Sequence, residues 1–244
     1  MSRQTRYSRW LTIGGLLALI FILASCQSGC GTTNGTKSLP TAPQLISQAQ
    51  DAIQKVTSYH FTLDTAHPGT STASSIQINK ADGDIQVPDK LQAKANATVL
   101  GFAVNTQFIA IANRQYYTDP LTNLWTETSQ LIDPRTLTDR RTGVAGILGH
   151  IQQPTAPTNS NVGAVPCWNI NGKLDARYLS VITGSATQLG SIINTTICIG
   201  KSDNLPYQLR MQGITIQGDT AQTVRTFLLS RFNEPLKIAA PQIA

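Results

Sequence analysis

The stretch LQAKANATVLGFAVNTQFIA, residues 91–110, has the pattern that decides the fold. On both sides of Gly101, polar side chains alternate with side chains that are mostly apolar or small. The alternating positions are Leu91, Ala93, Ala95, Ala97 and Val99, followed by Phe102, Val104, Thr106, Phe108 and Ala110. A period of two residues is typical of a β-strand with one buried face. The stretch therefore predicts two neighbouring strands, and the alanines leave unusual room on the face of the first one.

The same alternation continues before and after this stretch. Upstream it includes Tyr59, Phe61 and Leu63, then Ile76 and Ile78, then Ile85 and Val87. Asp82-Gly83, between the last two pairs, has the composition of a hairpin turn. Downstream, further strands are predicted at 116–117 and 124–129, followed by a strand that ends at residue 173. Three more are predicted at 192–200, 206–217 and 222–232, with a turn at 201–204.

Helical spacing interrupts the strands in three places. Residues 44–56 place Leu45, Ile46, Ala49, Ile53 and Val56 on one helical face, and Val144, Ile147, Leu148 and Ile151 form a second such face that Pro154 ends. A short helix is also predicted near 175–182. Helices combined with runs of adjacent hairpins indicate an α+β fold, in which helices cover one face of a single antiparallel sheet.

The first residues have the organisation of an export signal. Arg3, Arg6 and Arg9 precede an uncharged apolar run over 11–23. A run of about 13 residues suits a signal peptide, whereas a membrane-spanning helix needs about 20. The run ends in Leu-Ala-Ser-Cys26, which resembles the bacterial lipobox, in which the cysteine thiol receives a diacylglycerol and the new amino terminus is often acylated. The alternative is an uncleaved membrane anchor followed by an ordinary cysteine.

Three segments are therefore expected. Residues 1–25 form the lipoprotein signal peptide, residues 26–43 a lipidated flexible tether rich in Gly, Thr, Ser and Pro, and residues 44–244 a folded domain. Loss of the three signal arginines lowers the formal net charge of +6 by three, to +3. This weak excess favours anionic lipid surfaces, and without a dense run of Lys and Arg interleaved with aromatics a nucleic-acid partner is not expected.

Export makes disulfides possible for the four cysteines. Cys167 and Cys198 lie in strand-like runs and are predicted to be bonded to each other; the alternative is two buried free thiols. Cys30 has no lipobox of its own and is interpreted as incidental to the tether, with a second thiol function as the alternative. No metal site is expected, because no Cys or His follows at ligand spacing.

Five segments together resemble the LppX/LprAFG lipoproteins. They are SYHFTLD (58–64), GDIQVPDKLQAKANATVLG (83–101), YYTDPLTNLWTE (116–127), CIGKSDNLPYQLRMQG (198–213) and FNEPLKIAAP (232–241). The resemblance implies a fold similar to the LolA and LolB carriers: the curved antiparallel sheet is a half-barrel, and helices covering its concave face enclose an apolar cavity for acyl chains. It also implies that residues 44–244 are an LppX/LprAFG-like lipid-binding domain with an acylated lipid or glycolipid ligand, and it identifies no ligand-contacting residue.

Candidate lipid-binding residues therefore come from the alternation alone. They are Phe61, Leu63, Ile76, Ile78, Leu91, Val99, Phe102, Val104, Phe108, Ile147, Leu148, Ile151, Leu209 and Met211. Alternation does not distinguish the lining of a cavity from a filled core, so for each residue ordinary core packing is the alternative. The alanines of 91–97 and the glycines of 143–149 favour open space, because small side chains fill less volume.

No catalytic centre is predicted. The three histidines, His60, His67 and His150, lie on a polar strand face, in a loop and at a helix end, and none accompanies a nucleophile motif. Acidic residues are scattered, so a glycosidase pair is not indicated. The protein is therefore expected to be a non-enzymatic lipoprotein without a cofactor, anchored to a bacterial cell membrane on its extracytoplasmic side.

Two functions remain open at this point. The first is binding of an acylated lipid in a cavity and its carriage between the membrane and the outer envelope. The second is an interaction or scaffold lipoprotein of the same fold with a filled core. A third, an envelope hydrolase, would need a polar cleft with a histidine beside a nucleophile.

Overall fold

The computed structural model describes residues 39–70, 76–129, 133–183 and 187–243. The predicted signal peptide, Cys26 and Cys30 lie outside the described residues. From Leu39 onward the chain is one compact unit. It contains every described helix and strand, a single hydrophobic core and a disulfide. This part of the chain therefore has what it needs to fold without the residues that precede it.

Eleven strands and five short helical segments make up the described unit. The strands are β1 (Ser58–Ala66), β2 (Ile76–Gln86), β3 (Lys90–Val99), β4 (Phe102–Ile111), β5 (Arg114–Thr118), β6 (Trp125–Thr128), β7 (Thr158–Val162), β8 (Val165–Asp175), β9 (Ile192–Gly200), β10 (Pro206–Gln212) and β11 (Val224–Ser230). The helices are α1 (Ala42–Ile53), α2 (Pro134–Thr138), α3 (Val144–Gly149) and α4 (Ser180–Thr183), with a 3₁₀ turn η1 (Ala176–Leu179).

All eleven strands belong to one open sheet in the order β6-β5-β4-β3-β2-β1-β11-β10-β9-β8-β7. Every neighbouring pair is antiparallel. The two edge strands, β6 and β7, do not pair with each other, so the sheet is not closed into a barrel. The predicted α+β fold with one antiparallel sheet is confirmed.

One face of the sheet carries the core, and we call it the inner face. Tyr59 and Phe61 of β1, Ile85 of β2 and Leu91 of β3 occupy it, together with inward residues of β8–β11, and the buried side of α1 and α3 packs against them. Helix α1 begins with a capping box in which Thr41 and Gln44 bond reciprocally. Its buried residues Leu45, Ile46, Ala49 and Ile53 follow helical spacing. The predicted helix 44–56 is therefore present, but it begins two residues earlier and ends three residues earlier than predicted.

The antiparallel order gives the sheet two distinct ends. We call proximal the end where α1 leads into β1, and distal the opposite end. The connections β2–β3, β4–β5, β7–β8 and β9–β10 lie at the proximal end. The connections β1–β2, β3–β4, β5–β6 and β10–β11, and the entry into β9, lie at the distal end.

The predicted turn at Asp82-Gly83 is wrong, because β2 continues through both residues. The turn forms instead at Val87–Asp89, where the Val87–Pro88 peptide is cis. Gly83 lies between Phe61 of β1 and Ala93 of β3. A Cβ atom on Gly83 would lie 2.7 Å from the Cβ of Ala93. The glycine therefore serves a close approach of strands inside the sheet rather than a turn.

Cys167 of β8 and Cys198 of β9 form a disulfide, as predicted. Their Cα atoms are 5.5 Å apart, which lies within the range for such bonds. Cys198 pairs with Asn169 and Cys167 with Gly200, so the bond crosses the two strands diagonally. Ile170 and Ile197 point to the inner face, and the alternation therefore places the disulfide on the outer face.

Within the described residues, no helix has the length and apolar character needed to cross a bilayer.

Candidate functional site: a groove on the inner face

A groove with a volume of about 660 Å³ crosses strands β1 to β4. Its centre is the row Leu63, Ala81, Ala95 and Thr106, in which each residue is the register partner of the next. All four belong to the inner face by alternation. The lining consists of these residues with their chain neighbours, namely 62–64, 80–82, 94–96 and 105–107, and of Thr118 and Asn123. A volume of this size lies within the range of ligand pockets, about 300–1,000 Å³.

The groove exists because the side chains at its centre are small. Ala81 and Ala95 face each other on adjacent strands and are only half-buried. The helices gather elsewhere: α2 packs on β3 near the proximal end, where the Thr138 hydroxyl donates to the Pro88 carbonyl at 2.7 Å. Helix α1 contacts α3 and β9. Among the described helices, none packs on β2 or β4, so within the described residues the alanine pair has no helical cover.

Hydrogen bonds join β4, the last of the four strands that form the groove, to the neighbouring strand β5. Thr106 Oγ1 donates to the Thr118 carbonyl at 2.8 Å, and the Gln107 amide donates to Thr118 Oγ1 at 2.8 Å. The charged neighbours Asp64 and Lys80 form an exposed ion pair with a 3.5 Å separation. The central row itself carries no titratable group, so the floor of the groove suits an uncharged ligand segment.

The predicted lipid-binding residues fall into two groups. Seven are buried in the core cluster: Phe61, Leu63, Leu91, Ile147, Leu148, Leu209 and Met211. The Phe61 ring, for example, stacks on Phe227 with centroids 5.4 Å apart. Of these seven, only Leu63 also lines the groove. For the others the structure shows close packing in the core.

The second group lies at the margin of the core. Ile78, Phe108 and Ile151 are half-buried and pack against the cluster, and Val99 and Val104 are half-buried toward the distal end. Phe102 is 74% exposed and encloses nothing in this structure. Ile76 pairs with Val99 in the β2–β3 register, and its side chain is outside the described set.

Sequence reasoning missed Ala81, Thr106 and the polar residues that flank the groove. Ala95 was part of the alanine run that favoured open space, so that signal pointed to the right strand. Ala81 was hidden by the mistaken turn, which placed it at the end of a strand instead of its middle. Small residues within an alternating strand were therefore the informative signal, more than the large apolar ones.

Two of the three histidine side chains, those of His60 and His150, make structural contacts. His60 is on the outer face, with Nδ1 2.9 Å from Asp84 and Nε2 3.5 Å from Asp82. Burial alone would raise the pKa of Asp84, but hydrogen bonds involving Gln92 and His60 hold that pKa below its ordinary value. His150 stacks on Tyr178 with ring centroids 3.6 Å apart. His67 lies in the loop after β1 with φ of 50°.

Among the described residues, no three His, Cys, Asp or Glu side chains are arranged to hold a metal ion. None of the three histidines lines the groove. The geometry of the groove therefore supports binding of a ligand.

The distal end carries exposed apolar side chains, which we call the apolar rim. Its members are Leu100, Phe102, Leu121, Leu124, Leu189, Ile192 and Ile214. Among the described residues, the other exposed large hydrophobic side chains are Leu39 and Ile243, next to the ends of the described chain. Leu100 follows β3 and Phe102 begins β4, two of the strands that carry the groove, whereas Leu189, Ile192 and Ile214 lie in or beside β9 and β10.

A buried ion pair fixes the β10–β11 connection at the distal end. Arg225 Nη2 donates to Asp219 Oδ1 at 2.9 Å, and the exposed fractions of the two side chains are 4% and 0%. Arg225 also donates to Thr215, whose amide and hydroxyl bond the same carboxylate at 2.9 and 2.7 Å. Burial alone would raise the pKa of Asp219, but the hydrogen bonds from Arg225 and Thr215 lower it below its ordinary value.

Comparison with known proteins assigns the chain to a family. The profile of the LppX_LprAFG lipoprotein family matches residues 41–238. Lipoprotein LprA of Mycobacterium tuberculosis is 23% identical over 226 residues, which cover 86% of this chain and 88% of LprA.

Two crystal structures share the fold. LprF from Mycobacterium bovis has a TM-score of 0.66 at 18% identity, covering 82% of this chain and 96% of LprF. LppX from Mycobacterium tuberculosis has a TM-score of 0.57 at 19% identity, covering 81% of this chain and 99% of LppX. The match of the family profile to most of the chain confirms the resemblance seen in the sequence: this chain belongs to the LppX/LprAFG lipoprotein family.

Proposed function

We propose that this protein is a membrane-anchored lipoprotein that binds an acylated lipid in the groove of the inner face. The observation that carries the proposal is the uncharged row Leu63, Ala81, Ala95 and Thr106 at the centre of a groove of about 660 Å³, on which none of the described helices packs. It lies on the inner face of an open sheet in a chain of a lipoprotein family.

The physical reason for such a groove is the cost of exposing acyl chains to water. A two-chain lipid presents roughly 30 CH₂ groups, each worth about 0.8 kcal/mol when buried, so transfer through water costs over about 20 kcal/mol. A groove that covers even part of both chains removes a proportional part of that barrier. Binding in this groove is the step that carriage between the membrane and the outer envelope requires.

The anchor is proposed at Cys26. One acyl chain alone holds a protein only marginally on a bilayer, whereas two or three hold it stably. About 13 residues separate Cys26 from Leu39, where the compact unit begins. The binding domain would then remain close to the extracytoplasmic surface and move freely on its tether.

A second candidate function is an interaction or scaffold lipoprotein. The observation in its favour is that seven of the predicted lining residues are packed in the core cluster. In that case the groove would hold no lipid, and a protein partner would occupy the exposed surface.

The test uses residues 39–244, exported from a bacterium and purified without detergent. Native mass spectra before and after organic extraction would show a discrete mass increment that extracts as acylated lipid. A protein that is bare and that also takes up no added phospholipid would refute lipid binding and favour the scaffold. Carriage is tested separately, by transfer of the extracted lipid class from loaded protein to acceptor vesicles.

A further inference from the structure

Charge is divided unequally between the two ends of the sheet. The proximal connections and the residues beside them carry Lys55, Asp89, Lys90, Arg114, Lys201, Asp203 and Arg231. The fifth distal connection, which leads into β9 at 176–191, contains Arg177, whose guanidinium is paired with the Asp175 carboxylate at 2.7 Å. The other four, at 67–75, 100–101, 119–124 and 213–223, contain no Lys or Arg, and their acidic residues are Asp119 and Asp219.

Both of these acids are already engaged within the fold. Asp219 is buried against Arg225. Asp119 accepts hydrogen bonds from the amides of Leu121 and Thr122 at 2.8 and 3.0 Å, which closes its own turn. The distal end therefore offers almost no free charge to solvent, while the apolar rim projects from it.

The tip of the rim is a leucine in a conformation that leucine disfavours. Leu100 and Gly101 form the two-residue connection between β3 and β4, with φ of 52° and 82°. Two positive φ values are those of a type I′ turn, for which Asn-Gly is the preferred sequence. Leu100 is 62% exposed, so packing within the fold does not explain it. A bulky residue kept in a strained, exposed turn points to a contact made outside the molecule.

We propose that the distal end docks on a phospholipid bilayer, with the apolar rim inserted into the interface and Leu100 at the tip. A bilayer suits this end because bringing charged side chains to the hydrocarbon boundary is costly, and this end has almost none free. Apolar side chains there gain the free energy of leaving water.

The chain outside the described residues leaves this orientation open. About 13 residues from Cys26 to Leu39 reach at most about 45 Å when extended, which exceeds the radius of gyration of about 16 Å expected for a domain of this size. A domain tethered at Cys26 could therefore turn its distal end to the membrane. Docking brings the open part of the inner face next to the lipid. The bilayer would thus be the partner surface of the proposed lipid site. Docking itself does not require that lipid occupies the groove.

The test is flotation of residues 39–244 with vesicles of pure phosphatidylcholine, at 0.15 M and at 1 M NaCl. Because the contact is apolar, the bound fraction should persist in zwitterionic lipid and at high salt. Leu100→Asn should lower the partition coefficient about tenfold, and Leu100→Asn with Phe102→Ser about a hundredfold, since burial of one such side chain is worth about tenfold or more.

Leu100→Asn separates docking from misfolding. It creates Asn-Gly in a type I′ turn, so the melting temperature should stay the same or rise while flotation falls. The matched control is Ala112→Asn, at the proximal β4–β5 connection, where Ala112 has φ of 51°. Lys55→Glu, exposed at the proximal end, controls for electrostatic binding. Neither control should change flotation.

Three results would overturn the proposal. The first is a wild-type protein that does not float with vesicles, and the second is flotation that is lost in 1 M salt or in Lys55→Glu. The third is a lipid-free, concentration-dependent dimer that Leu100→Asn abolishes, since it would assign the rim to a second copy of the chain. Native mass spectra of the same samples keep the two proposals apart. A protein that carries no bound lipid but floats with vesicles would refute lipid binding in the groove and leave the docking proposal intact.

Discussion

Replacement of Ala95 by leucine tests the groove directly. Ala95 faces Ala81 on β2 and Thr106 on β4 in the central row, and it is half-buried with no described helix packed on β2 or β4. A leucine at this position adds three carbon atoms to the floor of the groove. Those atoms would occupy space that lipid methylene groups fill in the wild type.

The expected magnitude follows from the number of displaced groups. Three added carbons displace about three lipid CH₂ groups, each worth about 0.8 kcal/mol, so binding weakens by about 2.4 kcal/mol. This corresponds to about a fifty-fold rise in the dissociation constant. The stability of the protein should not fall, because the new side chain enters open space and not a packed core.

The assay measures affinity and stability on the same variant. Affinity is measured by the partition of a phosphatidylcholine with one pyrene-labelled chain between vesicles and protein, and stability by thermal unfolding. The matched control is Ala103→Leu on the neighbouring strand, where Ala103 is exposed and pairs with Thr98 on the outer face. The control should bind the lipid as the wild type does.

A filled core at this position would give the opposite result. Forcing three carbons into packed space costs about 1–3 kcal/mol. For a domain of this size that lowers the melting temperature by at least about 2 °C. A melting temperature that falls in Ala95→Leu with unchanged lipid binding would therefore refute the reasoning and support the scaffold interpretation.

Three further predictions concern the rest of the chain. Replacement of Cys167 and Cys198 by alanine should lower the free energy of unfolding by about 4 kcal/mol in urea titrations, since the chain-entropy model gives this for a sequence separation of 31. Asp219→Asn should cost about 3–5 kcal/mol at pH 7, because it leaves Arg225 buried without its counter-charge. The lowered pKa of Asp219 stabilises the fold fully above the unfolded value of about 3.9, so wild-type stability should fall as the pH drops below about 4, and less so in the variant. Cys26→Ala in the full chain should abolish incorporation of labelled palmitate and leave the protein without a lipid-dependent membrane anchor.

Each of these has an outcome that would contradict it. The disulfide prediction is wrong if the reduced wild type and the double variant unfold at the same urea concentration as the oxidised protein. Asp64→Asn is the control for the buried pair, since Asp64 is 57% exposed beside Lys80 and such a pair contributes about 0–1 kcal/mol. An equal loss in both variants would contradict the role of burial. Palmitate label that persists in Cys26→Ala would disprove the lipobox interpretation.

The sequence predicted best where alternation was uninterrupted. In β3 and β4 the alternating residues Leu91 to Ala110 form register partners on the inner face, as expected from a period of two. The disulfide was also predictable, because few cysteines were available within strands. In both cases local pattern and long-range pairing point to the same structure.

Prediction failed where one residue type has two uses. Gly83 predicts a turn because glycine tolerates turn geometry, but in the structure it permits close contact with Ala93 inside the sheet. An irregularity in the β2–β3 register near Asn79 moves the inner face from even to odd positions along β2. Alternation broken by such a bulge looks like two strands with a turn between them. The strand β7 was missed for a different reason, since its residues Thr158–Val162 are mostly polar and exposed at a sheet edge.

The candidate site was harder to predict than the fold, because hydrophobicity and free volume are different properties. Large residues such as Leu91 and Met211 were expected to line a cavity, yet their size lets them fill the space around them, and they are 2% exposed in the core. The groove lies where Ala81 and Ala95 leave volume that none of the described helices covers. In an alternating strand, large residues therefore indicate which face is buried, and small ones indicate where that face can remain open to a ligand. By this argument the decisive residues for lipid binding are the alanines, and variants of Leu91 or Met211 should change stability more than affinity.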